Sequence, residues 1–163
     1  MSLFSTPFSP AHDAAVVTGA GNGIGRAIAQ ALVGEGVRTL FADVREDTVM
    51  AAVAACARPD LAVPWVGDLA QASACDALLQ HAQSTLGLVT HFVHSASPPR
   101  REVDHVLAVD EDTWRRMRAV NVDAGFHLAR GLARPLIQAN RPGSFLMLTS
   151  LHAETPRNLP HYS

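Results

Sequence analysis

Val16-Val17-Thr18-Gly19-Ala20-Gly21-Asn22-Gly23-Ile24-Gly25-Arg26 is the stretch that decides the fold. The β-branched pair Val16 and Val17 ends an apolar strand. Four glycines then alternate with other residues, and a helix pattern starts at once. Ile24, Ala27, Ile28, Ala31 and Leu32 fall at i, i+3, i+4, i+7 and i+8, which predicts one apolar stripe on an amphipathic helix. A strand that turns into a helix through glycines aims the helix's free N–H groups at open space. Without Cβ atoms, the backbone can approach an anion such as a pyrophosphate.

A glycine pattern alone is also what a tight surface loop looks like. The surrounding residues separate the two readings. A strand precedes the pattern, a helix follows it, and the next apolar run, Thr39-Leu40-Phe41-Ala42, ends in Asp43. Asp43 lies 18 positions past Gly25, close to the ~20 expected of a carboxylate that hydrogen-bonds an adenosine ribose. The stretch therefore reads as a dinucleotide-binding fingerprint.

The 163 residues suit one domain. Hydrophobic residues make up 48% and charged residues 17%, enough for a sizeable core. With a net charge of −2 and no long basic patch, nucleic-acid binding gains no support. The longest basic cluster, Arg115-Arg116-Met117-Arg118, reads as a solvent-facing helix surface. Cys56 and Cys75 are far apart and form no C-x-x-C, so each reads as a small buried hydrophobe, which fits a reducing, cytoplasmic compartment. No apolar run approaches the ~18 residues of a membrane span. Residues 1–12, rich in Ser and Pro, read as a flexible leader without signal-peptide character, and residues 13–163 as the folded domain.

Along the chain, strands are expected at 14–18, 38–43, 62–66, 89–94 and 144–149. Helices are expected at 23–36, from about 45 to 57, 71–86, 111–118, and on through Asn121 to about 140. Strict alternation of strand and helix calls for an α/β fold, a parallel sheet with helices on both faces.

The spacing Thr18-Gly19-x-x-x-Gly23-x-Gly25 resembles the short-chain dehydrogenase/reductase (SDR) family in its classical branch. Further landmarks match in order: Asp68-Leu69 after the third strand, Asn121-Val122 within a helix, Ser150 after the fifth strand, and Tyr162. The resemblance runs from about Ala14 to the last residue. It implies a doubly wound, Rossmann-type sheet in the order 3-2-1-4-5, and NAD(P)-dependent alcohol/ketone chemistry. It also implies a homodimer or homotetramer, with the helix at 111–118 and the Asn121 helix in the interface.

For the cofactor, the resemblance assigns Gly19, Gly21, Asn22, Gly23, Ile24 and Gly25 to the glycine loop, and Asp68, Leu69 and Ala96 to the walls of the site. Asp43 favours NAD over NADP, because a carboxylate repels a 2′-phosphate. Asn22 stands where NADP-preferring members often carry a basic residue, and Arg45 is the counter-argument. Where the family usually shows Asn-Asn-Ala-Gly, this chain has His94-Ser95-Ala96-Ser97, so the local hydrogen bonds must differ. His94 reads either as a replacement donor or as a structural histidine. His91 and His94, three apart on a strand, point to opposite faces, which argues against a shared metal.

For the reaction, the resemblance implies Tyr162 as the base, Ser150 as the holder of the substrate oxygen, and Asn121 as the keeper of a water on a proton path. Tyrosine is a poor base at its ordinary pKa of about 10, and the family lowers it with a lysine four residues later. That lysine would be position 166, beyond Ser163, so the domain reads as truncated on its C-terminal side. Ser150 is twelve positions before Tyr162, one fewer than is common, and Thr149 would restore the spacing. The leading reading is an NAD-dependent oxidoreductase interconverting a secondary alcohol and a ketone. The rival is a catalytically silent dinucleotide-binding module, motivated by the altered 94–97 segment and the missing lysine. A methyltransferase, which also has a glycine-rich first loop, fits the glycine spacing and the Ser/Tyr pair less well. Residues 98–110 and 151–161 would line the substrate pocket, where Arg100, Arg101, His152 and Arg157 could meet an acidic substrate.

Overall fold

The computed structural model describes residue 9 and residues 12–99 and 107–150. The elements run β1 (Ala14–Thr18), α1 (Gly23–Gly34), β2 (Arg38–Asp43), α2 (Glu46–Ala54), a 3₁₀ turn (Pro59–Leu61), β3 (Ala62–Val66), α3 (Ala72–Leu86), β4 (His91–His94), α4 (Glu111–Arg118), a π turn (Ala119–Ala124), α5 (Gly125–Gln138) and β5 (Ser144–Met147). The five strands form one parallel sheet in the order β3-β2-β1-β4-β5. This is the doubly wound order that the residues and the resemblance imply.

All five residues of β1 are buried, as expected of a central strand covered on both faces. Successive side chains therefore feed opposite cores. Ala15 and Val17 join Phe41 and Val93 beneath Leu32 and Val33 of α1 and Val49 of α2. Val16 joins Leu40 and Phe92 beneath Leu78 of α3 and Leu128 and Leu132 of α5. Fully burying one such large apolar side chain contributes about 1.5–3 kcal/mol, so the two layers hold the sheet from both sides. Among the described residues β3 and β5 are the outer strands, and Phe145, Leu146 and Met147 of β5 are exposed.

Several boundaries differ from the sequence expectation. α1 stops at Gly34 rather than Gly36, because Gly36 (φ 87°) closes a Schellman motif. Its N–H reaches Val33 O at 3.0 Å, and Val37 N–H reaches Leu32 O at 3.0 Å. α2 ends at Ala54, short of 57, where Cys56 N–H folds back to Val53 O. β4 begins at His91 rather than Val89, because the register with β1 starts at Ala15↔His91. β5 ends at Met147 rather than Thr149. Its last ladder bond, Leu148 N–H to His94 O, comes where β4 itself stops. The buried face of α1 is also rotated from the expected stripe. Gly25, Ala29, Leu32 and Val33 are buried, whereas Ala27 is exposed and Ile24 is 66% exposed. The reason is Gly25, which must face the glycine turn for the helix to sit this close to it. The expected leader lies almost wholly outside the described residues.

Candidate functional site

A ligand crevice is expected where the strand order reverses, outside the carboxyl ends of the strands. Here that point lies between β1 and β4, at Thr18 and His94. Gly19 follows Thr18 with φ 67°, a left-handed conformation that suits glycine. A Cβ at Gly19 would stand 2.8 Å from Ala96 N, and one at Gly25 would overlap the Gly19 carbonyl. The loop and the first turn of α1 are thus locked against each other and against the segment after β4. Asn22 caps α1 in extended backbone, with no side-chain cap bond and no acidic residue in the first turn. Asn22, Gly23 and Ile24 are exposed at this end, and nothing lies within 4 Å of where a Gly23 side chain would begin. An uncapped helix end facing open space suits a pyrophosphate.

Asp43 closes the loop from the β2 side. Its Oδ2 accepts from Gly21 N–H at 2.9 Å and its Oδ1 from Arg45 N–H at 3.1 Å. The carboxylate therefore sits against the glycine loop, as a ribose-binding acid requires. Next to it lies a cleft lined by Gly19, Asp43, Asp68, Leu69, Ala96 and Arg116, among others. Asp68 also works as a turn residue, since its Oδ1 accepts from Ala70 N–H at 3.1 Å. These features fit a dinucleotide: a cradle for phosphates, a carboxylate for the ribose, and an apolar-walled cleft for the base.

The segment that departs from the family pattern is held by His94. Its ring is 3% exposed. Nδ1 lies 2.9 Å from Thr18 Oγ1, and Nε2 lies 2.9 Å from the Val120 carbonyl oxygen. A carbonyl only accepts, so Nε2 carries the proton and Nδ1 accepts from the Thr18 hydroxyl; this tautomer is assigned from the network. Thr18 Oγ1 in turn accepts from Ser95 N–H and Ala96 N–H, each at 3.2 Å. Burial holds His94 below its ordinary pKa near 6.5, and the Val120 bond only partly opposes this, so the neutral ring is favoured. Of the two readings of His94, the geometry shows a hydrogen-bonding replacement and a structural residue at once.

Val120 belongs to the π turn, which continues α4 into α5 and carries Asn121. Such turns are frequent at functional sites. Asn121 Oδ1 is buried with no hydrogen-bond partner among the described residues. The helix passes His94 closely because Gly125 has no side chain; a Cβ there would stand 3.1 Å from His94 Cδ2. Ser150 is partly buried, beyond β5, and Thr149 is exposed. Tyr162, Arg100, Arg101, His152 and Arg157 lie outside the described residues. Among the described residues, no cluster of His, Cys, Asp and Glu could hold a metal, and no helix is long and apolar enough to cross a membrane.

The contacts of three residues, Thr18, Arg116 and Gly125, escaped the sequence reading. Thr18 was legible as a strand end that opens the glycine motif, but not as the hydroxyl that ties three elements together. Arg116 was expected to face solvent with its neighbours. Arg115 does so, pairing with Glu111 and Asp112 on its own helix, but Arg116 reaches Asp68 Oδ2 at 3.0 Å and lines the cleft. The helical offset of one residue, 100° around the axis, separates the two fates.

A profile of the short chain dehydrogenase family matches residues 13–163. The chain belongs to this family. Galactitol 2-dehydrogenase (L-tagatose-forming) of Cereibacter sphaeroides is 33% identical over 149 residues, covering 91% of this chain and 56% of the relative. A probable galactose dehydrogenase, GalD, of Rhizobium meliloti is 30% identical over 154 residues, covering 93% and 59%. Among solved structures, L-sorbose reductase from Gluconobacter frateurii, complexed with NADPH and L-sorbose, superposes with a TM-score of 0.82 at 25% identity, covering 92% of this chain and 57% of that one. A glucose/ribitol dehydrogenase of the same family from Brucella melitensis shares the fold, with a TM-score of 0.81 at 22% identity, covering 96% and 64%. The chain thus spans a little over half the length of these two curated relatives.

Proposed function

We propose that the protein is a nicotinamide-dinucleotide-dependent oxidoreductase that interconverts a secondary alcohol and a ketone. The observation that carries this reading is the Asp43 carboxylate seated on Gly21 N–H, next to the uncapped start of α1. NAD is the preferred cofactor, since a 2′-phosphate placed against Asp43 would meet a negative charge. The bound cofactor would accept or give a hydride. Asn22, Gly23, Ile24 and Gly25 would hold its phosphates, and Asp68, Leu69 and Ala96 its base.

This chain's own residues would handle the proton. Tyr162 takes the hydroxyl proton of the alcohol as the base, and Ser150 hydrogen-bonds the same oxygen. The buried Asn121 Oδ1 accepts from a water that passes the proton outward. A polyol or sugar substrate is supported by the similarity to galactitol 2-dehydrogenase and L-sorbose reductase. A homo-oligomer built on α4 and α5 is supported by Phe126 and Ile137, which are 64% and 78% exposed there.

The test is NAD- and NADP-linked oxidation of a panel of polyols and secondary alcohols by the full-length protein, with Tyr162→Phe as the control. Turnover with NAD that Tyr162→Phe abolishes is expected. Dinucleotide binding without turnover on any alcohol would favour the silent-module reading. Turnover unchanged by Tyr162→Phe would sink the base assignment.

A further inference from the structure

We propose that Arg116 is a binding residue for the adenine half of the dinucleotide, one that forms a wall of the base cleft with its flat face. The inference rests on the dinucleotide reading above and goes beyond it by adding a residue on α4. Three observations carry it. First, α4 presents three arginines, and Arg116 alone crosses to the β3 side of the cleft. Arg115 pairs within its helix, and Arg118 approaches Asp123 at 3.4 Å. Second, Arg116 lines the same cleft as Asp68, Leu69 and Ala96. Third, its tie to Asp68 uses one guanidinium nitrogen, Nη1, at 3.0 Å.

The chemistry follows from the guanidinium. It is planar, weakly hydrated and stacks on aromatic faces, which an ammonium does not do. A bond through one nitrogen leaves its two faces available, and the partner carboxylate restricts its rotation. The tie serves Asp68 too. With Oδ1 on Ala70 N–H and Oδ2 on Arg116, the carboxylate is held from both sides while each oxygen keeps a lone pair for an exocyclic amino group. The two charges offset each other, so this end of the cleft suits a neutral aromatic base. The carboxylate that would meet the ribose, Asp43, lies on the neighbouring strand end.

The test is equilibrium titration, followed by fluorescence, of the full-length wild type, Arg116→Ala and Arg116→Lys with NADH, NADPH and reduced nicotinamide mononucleotide, which lacks adenosine. Arg116→Ala is expected to weaken NADH about fivefold and to leave the mononucleotide within twofold. Arg116→Lys keeps the charge beside Asp68 but loses the flat face, so it is expected to weaken NADH by a similar factor. Unchanged NADH affinity in Arg116→Ala would overturn the proposal. So would equal losses for both ligands, a loss confined to NADPH, or full recovery in Arg116→Lys. A wild type that binds none of these ligands would instead overturn the dinucleotide reading itself.

Discussion

The Thr18 hydroxyl donates to His94 Nδ1 across 2.9 Å, joining two strands that stand 76 residues apart in sequence. Through this bond the end of β1, the segment after β4 and the Asn121 turn act as one hydrogen-bonded unit. Every lone pair and proton of the pair is used: two N–H groups on Thr18, one hydroxyl on His94, and one N–H on Val120.

Thr18→Val removes the acceptor for Ser95 and Ala96 and the donor to His94 while keeping the shape. Orphaning buried polar groups costs about 1–3 kcal/mol each, less what relaxation recovers. A loss of about 2–4 kcal/mol in denaturant unfolding is expected, with Thr18→Ser restoring most of it. Indifference to Thr18→Val would mean that the network does not hold the crevice.

The depressed pKa of His94 sets a pH dependence with a definite sign. Above about 6.5 the ring is neutral in both folded and unfolded chains. As the pH falls below that value, the unfolded chain takes up the proton first. Stability is therefore full above about 6.5 and is lost progressively down to the folded-state pKa, by at most about 1.4 kcal/mol per pH unit for one group. His91, also lowered by burial although Asp13 opposes this, adds in the same direction. Unfolding midpoints measured from pH 7.5 to 5.5 should fall, and more shallowly in His94→Asn. An equal slope in that variant would place the titration elsewhere.

Gly25→Ala would drive a methyl into the Gly19 carbonyl. Overpacking of this kind costs about 1–3 kcal/mol. Because the strain falls on the cradle itself, NADH affinity should drop by more than tenfold while the far side of the sheet is unaffected. Calorimetric titration beside a thermal melt separates the two effects.

Asp43→Ala removes the carboxylate from Gly21 and from the ribose position. Hydrogen bonds to charged groups contribute about 1.5–3 kcal/mol, so NADH should weaken by roughly tenfold or more. NADPH should weaken less, since the repulsion of its phosphate is lost too. A preference between the two cofactors that stays fixed would remove Asp43 from selectivity.

The strands at 14–18, 38–43 and 62–66 were legible to the residue, since each is a short β-rich run closed by a glycine or an aspartate. Their order followed from right-handed crossovers together with the resemblance. Helix faces and ends were less legible. Ile24 looks like a core residue by period, yet it stands exposed because Gly25 must take the inward position. Asp43 stood out by its spacing from the glycines at a strand end, and Asp68 stood out through the resemblance. The contacts of Thr18, Arg116 and Gly125 did not, because each of these residues acts on a residue at least 31 positions away in the chain, and no local pattern records such a meeting.

β1 sits at the centre of the sheet, between β2 and β4. During synthesis its first neighbour emerges soon after it, but its second must wait for residues 91–94. At ribosomal rates of ~5–20 residues per second, that delay is roughly 4–15 s. Throughout it, one hydrogen-bonding edge of Val16 and Val17 is open. The nascent β1-β2-β3 half therefore carries an open strand edge until His94 reaches Thr18.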